Sequence, residues 1–234
     1  MNEPRSEQTA LIVGASRGLG LGLAKEYLKR GWHVVATVRG SGRTPLHDVM
    51  AQAEGRLEIA SVDINAPAQV DALRRHLEGR AFDLLFVNAG VSNGPDETAA
   101  AVSTEEFNRV MVTNALSPMR VIEALLALVR PIGTIGVMSS GLGSVADNNN
   151  GGYEIYRASK AALNTLMRSF AARHAGDPRA LLLIAPGWVR TDMGGPDAPL
   201  SVEESVPCVV DTISKHSGKV GLHYVDYRGR TIRW

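Results

Sequence analysis

The stretch VGASRGLG, from Val13 to Gly20, decides the fold of this chain. It ends the apolar run TALIVG and opens GLGLGLAKEYLKRG, in which apolar residues recur at helical spacing. Glycines are needed where a backbone turns tightly and approaches a pyrophosphate, and a helix that starts there offers free N–H groups. An ordinary turn is the alternative, but the strand–turn–helix context favours a dinucleotide site. The loop residues expected to bind are Gly14, Ser16, Arg17, Gly18, Leu19 and Gly20.

Strand-like and helix-like segments alternate along the rest of the chain. The strand-like runs are WHVVATVR, LEIASVDI, FDLLFVNAG, GTIGVMSS, RALLLIAPG and VGLHYVDYRG. Each connection is long enough for a crossover, so the pattern predicts an α/β Rossmann fold. We expect a doubly wound parallel sheet of about seven strands, with helices on both faces. The sequence has no repeat, low-complexity tract or linker, and residues 1–234 are predicted to form a single dinucleotide-binding and catalytic domain.

Local signals predict details of one long helix. Ser103 and Glu106 have the spacing of a capping box, which opens a helix that runs toward Val129. Pro118 lies within that helix and is expected to kink or interrupt it, because proline lacks a backbone N–H.

Composition narrows the class of protein. The 25 basic and 24 acidic side chains give a net charge of +1 with no run of like charge, so nothing predicts a nucleic-acid or membrane surface. Cys208 is the single cysteine, which excludes an intrachain disulfide, and the six histidines lack metal-ligand spacing. The start MNEPRSEQ is polar, and no apolar run is expected to be long enough for a bilayer. We therefore expect a cytoplasmic protein that binds no metal.

The end of the second strand favours NADP(H) over NAD(H). Proteins that bind NAD place an acidic residue there to accept the ribose hydroxyls. This chain has Val38 and Arg39 at that point, and Arg17 lies within the glycine loop. Two guanidiniums can grip a 2′-phosphate through forked hydrogen bonds, whereas an acid would repel it. The alternative is that both arginines are solvated surface charges.

The stretch GGYEIYRASK, from Gly151 to Lys160, contains two tyrosines that are each followed four positions later by a basic residue. One pair is Tyr153 with Arg157, and the other is Tyr156 with Lys160. Residues four apart share one face of a helix, so either pair could aim a phenol and a cation at a common ligand. Spacing alone leaves both pairs open.

These motifs resemble those of the short-chain dehydrogenase/reductase family, and the resemblance covers nearly the whole chain. The glycine loop, VNAG at 87–90 and PGWVRTDM at 186–193 are each similar to a family motif. MSSGLGS, GGYEIYRASKAALN and TDMGGPDAPLSVEES resemble a carbonyl-reductase-like subgroup that includes bacterial C-factor proteins. The family's Tyr-x-x-x-Lys pair selects Tyr156 and Lys160.

The resemblance also implies a site. Its catalytic residues would be Asn114, Ser140, Tyr156 and Lys160. Besides the glycine loop, Arg39, Tyr156 and Lys160, the residues expected to contact the cofactor are Asp63, Ile64, Asn88, Ala89, Gly90, Pro186, Gly187, Val189 and Thr191.

The activity implied by the resemblance is reduction of an aldehyde or ketone with NADPH. The Lys160 ammonium is expected to lower the pKa of Tyr156, which then protonates the carbonyl oxygen. Ser140 would hydrogen-bond that oxygen, with Ser139 pointing away and Ser144 as a fallback. Asn114 would hold a water between its backbone and Lys160.

Several alternatives stay open. The chain could be a C-factor-like signalling protein that binds NADP(H) with little turnover, or a reductase whose substrate rides on a carrier protein. The family forms dimers or tetramers through the helices that begin at Ser103 and near Tyr156, so a homo-oligomer is expected. The shape of the substrate pocket would depend on DNNNGG at 147–152 and on residues 194–201, a loop that we expect to order on binding. Trp188 and Met193 would either contact the substrate or simply pack.

Overall fold

A seven-stranded parallel sheet organises residues 7–234, the part of the chain that the computed structural model describes. Its strands are β1 (Thr9–Val13), β2 (His33–Val38), β3 (Leu57–Ser61), β4 (Phe82–Val87), β5 (Val129–Met138), β6 (Ala180–Ala185) and β7 (Gly221–Asp226). Their order is β3-β2-β1-β4-β5-β6-β7. Strands β2 and β3 are added on one side of β1, and β4 to β7 are added on the other, so the strand order reverses between β1 and β4. Such a switch point leaves a crevice at the carboxyl ends of the strands. The predicted Rossmann fold is confirmed. The predicted domain also includes residues 1–6, which lie outside the described range, as does most of the polar start MNEPRSEQ.

Helices cover both faces of this sheet. They are α1 (Gly18–Lys29), α2 (Pro45–Val49), α3 (Pro67–His76), α4 (Thr104–Met111), α5 (Ser117–Leu125), α6 (Glu154–Arg173) and α7 (Val202–His216). Leu11 belongs to the core cluster that contains Phe170, whereas its neighbour Ile12 belongs to the cluster that contains Val209. Successive residues of a strand point to opposite faces, so both faces of the sheet are buried under packed apolar side chains. This explains why the strand FDLLFV is apolar without alternation.

The long helix that begins after Ser103 is interrupted by a π-helical turn. The Ser103 side chain accepts a hydrogen bond from the Glu106 N–H at 3.1 Å, which confirms the predicted start. Helix α4 then widens into a π turn at Val112–Leu116, and α5 follows with Pro118 in its first turn. Pro118 has no N–H to donate to the carbonyl four residues earlier, which is that of Asn114. The predicted interruption is confirmed, and it takes the form of a widened turn.

The same helical run, Thr104–Leu128, is long and apolar enough by length and composition to cross a membrane. Its most apolar window has a mean hydropathy of 1.3, although isolated polar residues break the run, and the expectation that no segment would qualify is wrong. More than half of that window is buried inside the protein. Val121, Ile122 and Leu125 pack in the core cluster against the sheet, as in a core helix of a globular protein.

Candidate active site

The glycine loop lies at the carboxyl end of β1 and presses against the end of β4. Gly14 has a φ of +90° and Gly18 a φ of +54°, a region that glycine enters without strain. A Cβ on Gly14 would lie 2.8 Å from Ala89, and one on Gly20 would collide with the Gly14 carbonyl oxygen. The Asn88 side chain donates from Nδ2 to that same oxygen at 2.7 Å. The close packing therefore requires the predicted glycines, and Asn88 braces the loop.

The start of α1 is open to an anion. Arg17 is the N-cap residue, its side chain accepts no hydrogen bond from the helix, and the first turn contains no acidic residue. Free N–H groups and the positive end of the helix dipole therefore face the crevice. The buried Thr37, which sequence reasoning missed, accepts a hydrogen bond from Gly14 N at 3.0 Å and ties the loop to β2. The glycine cradle and the open helix start fit the pyrophosphate of a dinucleotide.

Arg17 and Arg39, the two predicted ligands of a 2′-phosphate, have different surroundings. Arg39 follows β2 and is exposed, with no ion pair or side-chain hydrogen bond to the rest of residues 7–234. Arg17 instead pairs with Asp192 across the crevice, with Nη1 and Oδ2 2.7 Å apart and both side chains more than 70% exposed (73% and 72%). The two guanidiniums do not share a partner, and sequence reasoning missed Asp192.

The turn after β3 lies where the adenine end of a dinucleotide is expected. Asp63 is partly exposed and accepts a hydrogen bond from Asn65 N at 2.9 Å, while Ile64 is buried. Asn65 in turn donates to Thr113 in the π turn at 2.9 Å. The side chain of Asn65 thus links this turn to the helix that carries Asn114.

Asn114 and Lys160 approach each other at Gly90. A Cβ on Gly90 would lie 3.3 Å from Asn114 Oδ1 and 3.5 Å from Lys160 Nζ, so a glycine leaves room for both. The Asn114 side chain bonds both backbone groups of Val91, with both distances 2.8 Å. The buried Lys160 donates from Nζ to the Met138 carbonyl oxygen at 2.9 Å. Three of the predicted residues therefore converge beside the ends of β4 and β5.

The Asn114 carbonyl lacks its ordinary α-helical donor because a proline follows four residues later. In an α-helix the Asn114 carbonyl would accept a hydrogen bond from residue 118, but Pro118 has no N–H. The π turn, a geometry that recurs at functional sites, contains Asn114. The four-residue spacing from Asn114 to Pro118 is a sequence signal for this missing donor. From the sequence, Pro118 predicted only an interruption of the helix.

Ser140 at the end of β5 and Tyr156 in the first turn of α6 interact through their side chains. Burial raises the pKa of Tyr156 to about 12, and the hydrogen bond with Ser140 acts in the opposite direction. Burial lowers the pKa of Lys160 to about 8. Lys160 Nζ lies 5.7 Å from the centre of the Tyr156 ring and bonds Met138 instead of the phenol. The expected lowering of the Tyr156 pKa by Lys160 is therefore wrong in this structure, because desolvation dominates.

The side chains of Ser139 and Ser144 form hydrogen bonds with residues other than Tyr156. Ser139 is buried and donates to Asn164 Oδ1 at 2.7 Å, so it points away from Tyr156 as expected. Ser144, the fallback, is buried and accepts a hydrogen bond from Asp147 N at 3.1 Å. Among these serines, only Ser140 interacts with Tyr156.

The other tyrosine–cation pair, Tyr153 and Arg157, lies at the turn before α6, where Arg157 bonds backbone carbonyls. Arg157 donates from Nε to the Gly152 carbonyl at 2.9 Å and from Nη2 to the Gly151 carbonyl at 3.0 Å. Its fork therefore holds the turn that precedes α6. The structure places Tyr156, and not Tyr153, beside Ser140 and Lys160.

The segment that joins Ser140 to Tyr156 is tied down near its middle. Asp147 accepts a hydrogen bond from Arg233 Nε at 2.8 Å, and the Ala146 N–H donates to the Trp234 carbonyl at 3.0 Å. The Tyr224 hydroxyl donates to the Ser140 carbonyl at 2.5 Å. The stretch DNNNGG is therefore anchored to residues that follow β7.

The loop after β6 is ordered by its own hydrogen bonds. The Trp188 indole donates to the Gly194 carbonyl at 2.7 Å, and Arg190 donates from Nη1 to the Ala198 carbonyl at 2.7 Å. The Arg190 N–H also donates to the Leu200 carbonyl at 2.8 Å. These bonds close residues 194–201 onto the start of the loop.

This loop carries the last four predicted cofactor residues. The Pro186 carbonyl accepts a hydrogen bond from Ser205 at 2.7 Å, and Gly187 has a φ of +85°. Val189 is buried, whereas Thr191 accepts a hydrogen bond from Gly194 N and its methyl would lie 3.4 Å from a Cβ on Gly18. The loop therefore faces the glycine loop across the crevice. Within residues 7–234, no group of three or more His, Cys, Asp or Glu side chains could hold a metal.

Known proteins share both the sequence pattern and this architecture. Residues 8–199 match the family model of the short chain dehydrogenases. C-signal of Myxococcus xanthus is 38% identical over 158 residues, which cover 65% of this chain and 92% of that protein. A short-chain dehydrogenase/reductase from Burkholderia multivorans, solved with bound NADP, is 60% identical with a TM-score of 0.96 over 97% of this chain and 100% of its own. A carbonyl reductase from Pseudomonas aeruginosa in complex with NADP is 39% identical with a TM-score of 0.91, covering 98% and 100%. The chain belongs to the short chain dehydrogenase family.

Proposed function

We propose that this protein is an NADPH-dependent reductase that converts an aldehyde or ketone into an alcohol. The observation that carries the proposal is that Ser140, Tyr156 and Lys160 lie together at the carboxyl ends of the strands, where the glycine loop also lies. A phenol, a hydroxyl and an amine at one point can bind and protonate a carbonyl oxygen. The likeness to a carbonyl reductase that was solved with NADP supports the same reaction class.

The cofactor would lie along the crevice between the glycine loop and the loop after β6. The glycine loop and the start of α1 would bind the pyrophosphate, Asp63 and Ile64 would flank the adenine, and Thr191 would lie toward the nicotinamide. Arg39 has no ion-pair partner within residues 7–234 and lies where an acid would select NAD, which supports a 2′-phosphate ligand. The bound NADP of the Burkholderia multivorans structure agrees with this preference. When bound, NADPH supplies the hydride.

The residues of the chain supply position and the proton. With a pKa near 12, Tyr156 is neutral at physiological pH and holds the proton that the carbonyl oxygen needs. Ser140 would hydrogen-bond the same oxygen as charge develops there. Lys160 has a pKa near 8, so its Nζ exchanges protons close to neutrality. The Asn114 carbonyl, which has no α-helical donor at residue 118, would orient a water beside Lys160.

Tyr156→Phe tests this proposal. The variant should bind NADPH like the wild type, measured by fluorescence titration, but lose about 10²- to 10⁴-fold in turnover of a panel of aldehydes, ketones and diketones. Tyr27→Phe, a change of the same type in the core, is the control and should keep full activity. Full turnover by Tyr156→Phe with intact NADPH binding would contradict the proposal.

A second candidate is a signalling protein that binds NADP(H) with little turnover. The similarity to C-signal of Myxococcus xanthus favours it. The two candidates differ in what Tyr156 does, because a biological effect of a signal protein would survive Tyr156→Phe. A binding module has no need for the Ser140–Tyr156 contact, so reduction is the function that the site supports better.

We also propose a cytoplasmic homo-oligomer. Helices α3, α5 and α6 border a groove of about 720 Å³ in which Leu116 and Leu166 are 39% exposed. Burial of such apolar side chains favours association of two copies through this face. Leu166→Glu should shift the protein toward the monomer in size-exclusion chromatography, and an unchanged elution volume would place the interface elsewhere.

A further inference from the structure

Three consecutive residues before α6 adopt the left-handed conformation. Gly151 has a φ of +64°, Gly152 a φ of +67° and Tyr153 a φ of +52°. The glycines adopt it freely, but the Cβ of a tyrosine crowds its own backbone there. Within residues 7–234, the one other non-glycine residue with a positive φ is Glu54, at +50° in the turn that precedes β3. A third glycine would relieve the strain at 153, so the backbone conformation by itself does not favour a tyrosine there.

The contacts around Tyr153 fix its backbone without using its phenol. The Tyr153 N–H donates to the Pro95 carbonyl at 2.8 Å, and the Glu154 carboxylate accepts a hydrogen bond from Ala99 N at 2.8 Å. Arg157 holds the two preceding carbonyls with its fork. In the part of the chain from residue 7 onward, the Tyr153 hydroxyl makes no hydrogen bond, and the residue stays partly exposed. The fold therefore fixes the backbone that carries this ring, while the hydroxyl has no hydrogen-bond partner among the described residues.

The turn lies at the mouth of the candidate active site. It ends the segment that begins at Ser140, and it is bonded to the loop that follows Gly90, so it joins the carboxyl ends of β4 and β5. The same loop contains Asn93, whose Oδ1 is buried and has no partner within the described residues. Tyr153 comes one helical turn before Tyr156. A ligand of Tyr156 would thus have the 151–153 turn as a neighbouring wall.

The loop after β6, which faces the glycine loop across the crevice, exposes two large apolar side chains. Trp188 is 56% exposed and Met193 is 50% exposed on the loop after β6. The Trp188 indole N–H is already bonded to Gly194, so the part of the side chain left for a ligand is its ring. Flat aromatic groups bind well between aromatic rings and a polarisable thioether.

We propose that Tyr153 is a substrate-contacting residue that selects carbonyl compounds with an aromatic substituent, and that Arg157 is the positioning residue that holds it there. This inference rests on the proposed reductase function. The aryl group of the substrate would lie against the Tyr153 ring while its carbonyl oxygen meets Tyr156 and Ser140.

The test compares kcat/KM for an aryl ketone and an aliphatic ketone of similar size. Tyr153→Gly should lower the value for the aryl ketone about tenfold or more, mainly through KM, and change the aliphatic value little. Its Tm should stay level or rise by about 1–4 °C, because the strain is relieved. Tyr153→Phe should keep the aryl preference. Glu54→Gly, the matched control, relieves the same strain and should leave both kcat/KM values unchanged.

Arg157 is tested by its own pair of variants. Arg157→Gln should reduce the aryl preference severalfold with NADPH affinity unchanged, and Arg157→Lys should restore part of it, because lysine can still reach one carbonyl. Arg75→Gln removes an exposed helix charge and should change neither quantity.

Other outcomes would overturn the inference. A fall in Tm for Tyr153→Gly with an unchanged aryl-to-aliphatic ratio would make Tyr153 a structural residue. An equal loss of kcat/KM for the aryl and the aliphatic ketone would show that Tyr153 does not select between them. The Tyr156→Phe experiment separates these failures from a failure of the proposed function, since it tests turnover itself. If no carbonyl compound is reduced while NADPH binds, the reductase proposal falls and this inference falls with it.

Discussion

The Arg17 guanidinium and the Asp192 carboxylate form an ion pair of 2.7 Å that joins the glycine loop to the loop after β6. Arg17 uses a single nitrogen for this pair. The pair spans the crevice in which the cofactor is proposed to bind. A 2′-phosphate that draws Arg17 toward Arg39 would have to compete with Asp192, because both anions seek the same guanidinium.

Asp192→Asn should therefore tighten NADPH binding about two- to fivefold, a range that matches an exposed ion pair. NADH binding should change little, because NADH lacks the 2′-phosphate. Fluorescence titration at low and moderate salt measures both. Asp197→Asn, an exposed acid of the same loop, is the control. Weaker NADPH binding by Asp192→Asn would show that the pair supports the cofactor instead of competing with it.

The buried Lys160 should make stability depend on pH above neutrality. Below about pH 8 both the folded and unfolded states carry the protonated amine, and burial of that charge costs its full amount. Above about pH 8 the folded protein releases the proton, whereas the unfolded chain keeps it up to about pH 10.5. The free energy of unfolding should therefore rise between pH 8 and 10 relative to Lys160→Met. Parallel urea titrations of both proteins measure it. A difference that is constant over this range would contradict the lowered pKa.

Replacement of tyrosine by phenylalanine is expected to have opposite effects on stability at Tyr27 and at Tyr224. The Tyr27 hydroxyl is buried without a partner among the described residues, and burial raises the pKa of Tyr27 strongly. Tyr27→Phe should therefore stabilise the protein by about 1 kcal/mol. Tyr224→Phe removes the hydrogen bond to the Ser140 carbonyl and should destabilise it by about 1 kcal/mol or more. Urea unfolding midpoints compare them, and changes of equal sign would refute this account.

Pro118→Ala should restore an N–H that can bond the Asn114 carbonyl. We expect a more stable helix but a severalfold lower kcat, with NADPH affinity unchanged, because the carbonyl is withdrawn from the site. Pro207→Ala, at a proline inside α7, is the matched control and should raise stability without changing kcat. An unchanged kcat in Pro118→Ala would separate the Asn114 carbonyl from catalysis.

Much of the fold could be predicted from the sequence, because it depends on local signals. The glycine loop, the Ser103 cap and the interruption at Pro118 each need only a few neighbouring residues. Asp192 opposite Arg17 and the lowered pKa of Lys160 depend on tertiary contacts and burial, which no local pattern encodes. The loop at 194–201 looked mobile from its glycines and prolines, yet side chains of Trp188 and Arg190 close it. The left-handed Tyr153 runs against propensity and was unpredictable for that reason.

The crevice draws its walls from distant parts of the chain, since Gly18 in the first helix faces Thr191 after the sixth strand. During synthesis on the ribosome, the glycine loop is made early but has no opposite wall until β6 and its loop have emerged. A nascent chain that stops before residue 191 would therefore contain the glycine loop and still bind NADPH poorly. Cofactor fluorescence would then report when β6 and its loop have joined the sheet, which makes the ligand a probe of folding as well as of activity.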